Sequence, residues 1–471
     1  MRGAADDTIC AIATPLGEGG IGIVRVSGPQ AVPVADAVLT LRSRQPLASV
    51  PSHTLHLADV SMHPSTLGAP PIDGQAAALV DEALVVYMKA PRSFTGEDVV
   101  EIHSHGGGLV LSLVCQACIN AGARLAEPGE FTKRAFLHGR LDLSQAEAVL
   151  DTIHAKSLAA LTAAQRQLRG DLSQEVELAR AALVHLLAQV EAGIDFVEED
   201  IVFLDRPQLR DGVESVLTTI RRLESSFQAG RILREGARVA ILGRPNVGKS
   251  SLLNRLLKEE RAIVSPVPGT TRDVIQESVQ WDGVRLHLVD TAGIHASDDL
   301  VEREGIRRSV QEQAQADLQV VVLDGNQPLT ADDRALIRAA SQRRHVLAVN
   351  KSDLPAAFDL RLLGSDSIVS RVSALTGAGT DELRSDIRRQ LITGGGDATQ
   401  GTIVTSLRHR TALQRARQSL EHGAHSIDEQ LAVELLCIDL RAAADALGEI
   451  TGAITTEEIL DQIFAQFCIG K

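Results

Sequence analysis

The fold of this chain is decided by one central stretch, Arg238-Val239-Ala240-Ile241-Leu242-Gly243-Arg244-Pro245-Asn246-Val247-Gly248-Lys249-Ser250. It reads as an apolar strand, a loop of the form G-x-x-x-x-G-K-S, and then a run with the apolar spacing of a helix. In such a unit the backbone N–H groups of the loop and of the helix start face one small volume and favour an anion there. We therefore predict a nucleoside triphosphate site, with Lys249 on the β- and γ-phosphates and the Ser250 hydroxyl on Mg²⁺.

Two motifs further along the chain, followed by a last loop at Ser373-Ala374, complete the nucleotide site. A strand predicted over 284–289 ends in Asp290-Thr291-Ala292-Gly293, which places a carboxylate near Mg²⁺ and a glycine amide near the γ-phosphate. A strand over 345–349 leads into Asn350-Lys351-Ser352-Asp353, and the Asp353 carboxylate accepts the paired N–H donors that guanine has and adenine lacks. The motif order predicts GTP, with contacts from Asn246, Val247, Gly248, Lys249, Ser250, Ser251, Asp290, Gly293, Asn350, Lys351, Asp353, Ser373 and Ala374.

The residues for hydrolysis differ from those of a Ras-type switch. Ile294 stands where many GTPases carry the Gln that orients the attacking water, so another residue must do this. Residues 269–273 fit the switch that covers the γ-phosphate, with a Thr hydroxyl on Mg²⁺. Arg272 there has two interpretations, an arginine finger or a solvated switch residue.

Length and composition exclude several classes of protein. At 471 residues the chain is predicted to form about three domains. Its net charge of −14 argues against a protein that coats nucleic acid non-specifically. This charge still allows a local basic patch that recognises one structured RNA. No long uncharged apolar run or signal-peptide pattern occurs, and the five scattered Cys suit a reducing cytosol, so we expect a cytoplasmic protein without a membrane span. The pair Cys115 and Cys118 lies in an apolar run and predicts a core helix rather than a zinc site.

The sequence divides into four regions. Residues 1–135 read as α+β, 136–232 as helical, 233–393 as the GTPase domain and 394–471 as helical again. The fold class is therefore multidomain α/β and α: an α+β N-terminal domain and a helical bundle into which a Ras-like P-loop GTPase domain is inserted. The apolar terminus Phe467-Cys468-Ile469-Gly470-Lys471 is either a docked end or a binding site that holds Cys468 and Lys471.

Several stretches go beyond general patterns and resemble one family, the tRNA modification GTPases MnmE (TrmE) among the TrmE-Era-EngA-like K⁺-activated GTPases. The resemblance covers nearly the whole chain and rests on these runs: Gly19-Gly20-Ile21-Gly22-Ile23-Val24-Arg25-Val26-Ser27-Gly28, Phe94-Thr95-Gly96-Glu97-Asp98-Val99-Val100-Glu101-Ile102-His103, Pro128-Gly129-Glu130-Phe131-Thr132-Lys133-Arg134, Leu447-Gly448-Glu449-Ile450-Thr451-Gly452 and the terminal Cys468-Ile469-Gly470-Lys471.

The resemblance implies a tRNA-modifying assembly. It implies a homodimer formed through N-terminal domains similar to tetrahydrofolate-binding folds, and a heterotetramer with the FAD- and NADH-dependent MnmG (GidA) protein. It also implies addition of an aminomethyl or carboxymethylaminomethyl group at C5 of the wobble uridine of certain tRNAs, with 5-formyltetrahydrofolate or a related tetrahydrofolate as donor. The implied folate contacts fall on Arg25, Glu101, Arg140 and Lys471, and Arg140 stands where relatives often have Lys, which changes the bonding geometry.

For GTP hydrolysis the resemblance implies a K⁺ ion as the charge-stabilising element. The implied K⁺ ligands are Asn246, Ser265, Val267 and Thr270, the Mg²⁺ ligands Ser250 and Thr271, and the water-orienting residue Glu302. Ser265, Thr270 and Thr271 thereby join the GTP contacts, and Lys249, Arg272 and Glu302 form the implied catalytic set. Pro266 and Pro268 in the K⁺ loop predict a stiffer loop. An alternative interpretation is a regulatory GTPase switch in ribosome assembly that performs no RNA chemistry.

Overall fold

The computed structural model describes residues 7–15, 17–62, 78–195, 206–258, 277–281, 284–290, 315–364, 367–392 and 401–471. These residues form two compact units. The outer unit consists of the described parts of Met1–Leu150 and Thr451–Lys471, and the central unit consists of those of Asp151–Ile450.

Strands and helices alternate in the outer unit before the chain becomes helical. In chain order its elements are β1 (Ile9–Ile12), β2 (Gly19–Ser27), α1 (Ala31–Val38), β3 (Leu39–Leu41), β4 (Leu55–Met62), β5 (Ala78–Met88), β6 (Val99–Gly106), α2 (Gly108–Asn120), β7 (Arg124–Leu125), α3 (Glu130–Leu137) and α4 (Leu143–His154).

The central unit begins with long helices and continues with the GTPase sheet. Its elements are α5 (Leu158–Arg169), α6 (Asp171–Asp195), α7 (Arg206–Glu235), β8 (Ala237–Leu242), α8 (Lys249–Lys258), β9 (Glu277–Trp281), β10 (Val284–Asp290), β11 (Leu318–Asp324), α9 (Ala331–Ala340), β12 (His345–Asn350), β13 (Ile368–Arg371), α10 (Thr380–Ile392), α11 (Leu407–Asp428) and α12 (Val433–Thr451). The last helix, α13 (Glu457–Phe464), returns to the outer unit.

The outer unit is built on a seven-stranded sheet of order β3-β4-β5-β6-β2-β1-β7. Its neighbours pair antiparallel, apart from the parallel pair β1–β7. Helix α1 ends at Val38, because Leu39–Leu41 pair with β4 as an edge strand.

The C-terminal end of the chain packs within the outer unit. Leu143, Leu150, Leu460, Ile463 and Phe464 share one apolar cluster, which joins α4 to α13. The outer unit therefore continues to Leu150, since Leu143 and Leu150 belong to this cluster. The domain boundaries predicted from the sequence stay predictions.

Helices on both sides of the GTPase segment share one core in the central unit. Leu183 and Leu217 from α6 and α7 lie in the same buried cluster as Leu420 and Leu447 from α11 and α12. The helical periodicity predicts this face, since residues three or four apart point the same way.

The GTPase sheet has the order β13-β12-β11-β8-β10-β9 and is parallel except at β9. The predicted multidomain α/β and α fold class is confirmed. None of the described helices has the length and apolarity needed to cross a membrane.

Candidate functional site

The P-loop follows directly from the buried strand β8. Gly243 has φ +152°, and a Cβ on it would lie 2.5 Å from the carbonyl oxygen of Val322 on β11. Gly248 has φ +95°, and a Cβ there would collide with the Asn350 side-chain nitrogen. Both positions therefore require glycine, which lets the loop turn tightly between the strand and the helix α8.

Lys249 closes the concave side of this loop. Its Nζ donates to the carbonyl oxygens of Gly243, at 2.8 Å, and Arg244, at 2.7 Å. The side chain is buried, while Ser250 and Ser251 beside it are exposed at the start of α8. A cation and exposed hydroxyls at a helix N-terminus suit a phosphate with its Mg²⁺, so the residues present fit the predicted ion and nucleotide.

Asn350 joins the phosphate side of the site to the base side. Its Nδ2 donates to the Val247 carbonyl at 2.8 Å, and its Oδ1 accepts from the Ala374 N–H at 3.0 Å. Asn350 is buried, so these two bonds hold the P-loop and the last base loop at a fixed spacing.

The base pocket contains the predicted selector. A cavity of about 590 Å³ is lined by Gly248, Ser251, Asn254, Arg255, Asn350, Lys351, Asp353, Leu354, Ala374 and Leu375. Ser373 donates to Asp353 Oδ1 at 2.5 Å, and Lys351 donates to the buried Asp324 at 2.6 Å. Asp353 is thus oriented by a hydroxyl, and each of its carboxylate oxygens can still accept one of the two parallel guanine N–H donors.

One contact of the P-loop was not predicted from the sequence. Arg244, an unspecified position in the motif, donates to Asp333 at 2.8 Å. Asp333 also forms the capping box of α9 with Thr330. Burial alone raises the pKa of Asp333, but hydrogen bonds from Arg244 and Thr330 hold it below its ordinary value. The pattern Thr330-Ala331-Asp332-Asp333 signals a helix start, but nothing local signals its partner.

Part of the predicted catalytic apparatus lies outside the described residues. This applies to Ser265, Val267, Thr270, Thr271, Arg272, Gly293 and Glu302, and also to Pro266, Pro268 and Ile294. Asp290 ends strand β10, and its side chain is not among those described. Asn246 is described and has φ +65°, a left-handed conformation at the tip of the loop.

The outer unit holds a second set of predicted residues around an ion pair. Arg25 on β2 donates through Nε to Glu101 Oε1 on β6 at 2.8 Å, and its Nη2 lies 2.7 Å from the same oxygen. The register explains this, since Arg25 and Glu101 are direct cross-strand partners. Both side chains are 15% exposed, so the pair is partly withdrawn from water but reachable.

The chain terminus lies against this ion pair. Arg25 Nη1 approaches the Gly470 carbonyl oxygen at 3.5 Å. The pKa of the Lys471 amine is lowered, mainly by burial and then by the positive charge of Arg25. Glu101 and Cys468 raise this pKa, but their effect is smaller. The structure thus brings Arg25, Glu101 and Lys471 together, with the exposed Cys468 nearby.

Arg140, the fourth predicted folate residue, lies at the loop beside this set. Its Nε donates to the Ser93 carbonyl at 3.0 Å, and Ser93 precedes Phe94 in the chain. The Arg25 guanidinium lies 5.6 Å from the ring centroids of both Phe94 and Phe131. Both rings belong to the runs on which the family resemblance rests. Their position beside Arg25 depends on contacts between residues far apart in the sequence, which the sequence alone does not predict.

A tetrahydrofolate fits this chemistry. A pterin ring offers N–H donors to a carboxylate such as Glu101, and folate carboxylates suit guanidinium or ammonium groups such as Arg25 and Lys471. The half-buried ring of Phe94 adds flat apolar surface, whereas the ring of Phe131 is fully buried behind Arg25. Among the described residues, no group of three or more His, Cys, Asp or Glu side chains is arranged to hold a metal ion, and Cys115 and Cys118 lie buried in α2.

The parallel sheet, the glycine-dependent loop after β8 and the Asp353 pocket after β12 define the class of this protein. It is a P-loop GTPase that carries an α+β unit and a helical bundle. Two family models also match: "MnmE helical domain" over residues 143–468 and "GTP-binding protein TrmE N-terminus" over residues 8–140. The chain belongs to the MnmE (TrmE) family of tRNA modification GTPases, and it is a GTP-hydrolysing enzyme.

Full-length relatives agree with this assignment. The tRNA modification GTPase MnmE of Heliobacterium modesticaldum is 47% identical over 99% of this chain and 99% of its own. That of Geobacillus kaustophilus is 46% identical over the same shares of both chains. Among solved structures, the G domain of the T. maritima FeoB iron transporter is 27% identical, with a TM-score of 0.26, and covers 33% of this chain and 98% of its own.

Proposed function

We propose that this enzyme couples K⁺-dependent GTP hydrolysis to modification of the wobble uridine of certain tRNAs. It adds a carboxymethylaminomethyl or aminomethyl group at C5, with a tetrahydrofolate as one-carbon donor. It acts in the cytoplasm as a homodimer and in a heterotetramer with the FAD-dependent MnmG. A switch in ribosome assembly is the poorer alternative, since the relatives above bear the name tRNA modification GTPase.

One observation carries this proposal: the chain terminus lies against an ion pair in a unit that contains no part of the P-loop. Arg25 contacts both Glu101 and the Gly470 carbonyl, which holds Lys471 at the same place. A switch that only binds and hydrolyses GTP has no need for such a site. Its chemistry instead supports a second, anionic and ring-containing ligand.

Each residue of this site has a distinct role in the proposed binding. Glu101 orients the ring of the ligand by accepting its N–H donors, while the ion pair with Arg25 holds the Glu101 carboxylate in place. Lys471 and Arg140 supply positive charge for the carboxylates of the ligand. The tetrahydrofolate, when bound, supplies the one-carbon unit.

In the GTPase domain, the residues of the P-loop bind the phosphates and their ions. Lys249 and the N–H groups at the start of α8 stabilise negative charge on the β- and γ-phosphates. Asn246 is an exposed residue of this loop with a left-handed backbone, and its side-chain oxygen is the proposed K⁺ ligand. A K⁺ ion held there would supply the positive charge that an arginine finger supplies in other GTPases.

An apolar face on the outer sheet supports the proposed homodimer. Leu57 on β4 pairs directly with Leu84 on β5, and Leu55 lies two residues along the same strand. These side chains are 41%, 40% and 57% exposed, respectively. Leucines grouped on one face of a sheet favour burial against another surface, which a second copy of this chain would provide.

The test of this proposal uses a chain that ends at Phe467. Without its last four residues the protein should hydrolyse GTP normally but fail to modify tRNA in a reconstituted reaction with MnmG and a tetrahydrofolate. Lys471→Met should show the same pattern to a lesser degree, with normal GTP hydrolysis and reduced tRNA modification. The matched control is Lys89→Met, because Lys89 is an exposed lysine of the same unit. Full modification by the shortened chain would refute the terminal site.

A further inference from the structure

A cleft in the central unit collects positive charge in a protein that is acidic overall. The basic cleft, as we call it, has a volume of about 360 Å³ and is lined by His154, Lys156, Ser157, Ala160, Leu233, Arg234 and Arg285. The chain carries a net charge of −14, so a local group of cations stands out against its average surface. None of these residues belongs to the GTP site or to the terminal site.

Strand pairing places further cations next to the cleft. Arg285 and His287 are two residues apart on β10 and therefore share a face of the sheet. His287 is the direct partner of Arg238 on β8, which puts Arg238 on that face as well. The pKa of His287 is lowered, first by burial and then by the charges of Arg285, Arg238 and Lys156. A backbone hydrogen bond with Glu235 opposes this shift but does not cancel it.

The acidic groups around the cleft are already engaged. Asp151 forms an ion pair with Arg234 at 2.8 Å and is 11% exposed. Asp317 pairs with Arg231 and also accepts from the Arg238 backbone N–H at 2.9 Å. Glu235 lies 3.8 Å from Arg231. Lys156, in the link between α4 and α5, is exposed, so its charge is accessible to a binding partner.

We propose that the basic cleft binds the phosphate backbone of the tRNA substrate. The proposal rests on the assignment to tRNA modification and adds a contact surface to it. Lys156 and Arg285 provide the charge for two neighbouring phosphates, whereas the charge of Arg234 is balanced by Asp151. Few aromatic side chains are available for base stacking, with one Trp and one Tyr in the chain, so a contact through phosphates fits its composition.

The experiment measures binding of an unmodified tRNA transcript to the full chain as a function of salt. Lys156→Gln should lower the affinity about threefold, and Lys156→Gln with Arg285→Gln about tenfold, at low salt. Each lost phosphate contact should reduce the slope of log K against log salt by about 0.7 to 0.9. The control is Arg361→Gln, which removes one positive charge from a side chain that is 93% exposed in the same unit.

The outcomes separate this proposal from the wider function. Unchanged affinity and slope in Lys156→Gln, with tight binding by the wild type, would overturn the cleft while leaving the tRNA function intact. A wild type without affinity for tRNA would count against both. Inorganic phosphate and poly-glutamate serve as competitors. Each competitor is compared with unlabelled tRNA at the same total concentration of negative charge. If phosphate or poly-glutamate displaces labelled tRNA from the wild type equally well, the cleft binds small anions or acidic peptides and the proposal is wrong.

Discussion

The docking of the chain terminus can be tested at Gly470. This residue has φ +97°, and a Cβ on it would lie within 3 Å of the Ile12 carbonyl oxygen and 3.0 Å from the Ala13 Cα. Ile12 ends the buried strand β1, so its backbone has little room to move. Gly470→Ala should therefore displace the terminal residues from the ion pair of Arg25 and Glu101.

The size of this effect follows from two costs. A left-handed conformation costs an L-residue about 1–2 kcal/mol. Forcing extra atoms into a packed contact costs a further 1–3 kcal/mol or so. The docked terminus should thus lose roughly 2–5 kcal/mol relative to the free one, which is at least about a thirtyfold change in the docking equilibrium.

Two assays measure this change. Release of Lys471 by a carboxypeptidase should be much faster in Gly470→Ala, and the affinity for a tetrahydrofolate, measured by calorimetry, should fall by about the same factor. GTP affinity should not change. Gly108→Ala is the matched control in the same unit, since a Cβ there meets nothing within 4 Å. Equal release of Lys471 from Gly470→Ala and from the wild type would refute the docked terminus.

Three further predictions concern the ions, the base and the pH. GTP turnover should be about tenfold or more faster in K⁺ than in Na⁺ at equal ionic strength, and equal rates would remove the role proposed for Asn246. Asp353→Asn should weaken GTP binding by about a hundredfold, because hydrogen bonds to the carboxylate contribute about 1.5–3 kcal/mol each. This variant should prefer XTP in a competition assay, since xanthine has an oxygen where guanine has its amino group; unchanged GTP preference would contradict the base pocket. The pKa of Lys471 is lowered by burial and Arg25, so the unfolded state binds more protons and stability should rise as pH increases through the lowered pKa. The melting temperature of the wild type should therefore rise relative to that of Lys471→Met as the pH is raised toward the ordinary lysine pKa, and a constant difference would be evidence against a buried amine.

The GTPase motifs can be read from the sequence because their chemistry is local. The G-x-x-x-x-G-K-S loop fixes Gly243, Gly248 and Lys249 within a few residues, and the structure shows the physical need for each glycine. The base pocket after β12 follows from a second short motif, Asn350 to Asp353. Parallel strands then bring the two motifs to one edge of the sheet.

The contacts that the sequence did not predict are all long-range. Nothing near Arg244 indicates its bond to Asp333, and nothing near Phe94 or Phe131 indicates that both rings face Arg25. The association of α13 with the outer unit also depends on which apolar face it meets, and periodicity alone cannot choose between cores. The basic cleft shows the same limit, because its cations come from β10, α7 and the link before α5.

The most direct test of the whole account is nucleoside mass spectrometry of tRNA from cells that lack this protein. In these cells we expect the carboxymethylaminomethyl or aminomethyl group to be missing from the wobble uridine and to return when the intact chain is supplied. A chain that ends at Phe467 should not restore it. Unchanged wobble uridine in the deficient cells would contradict the central claim.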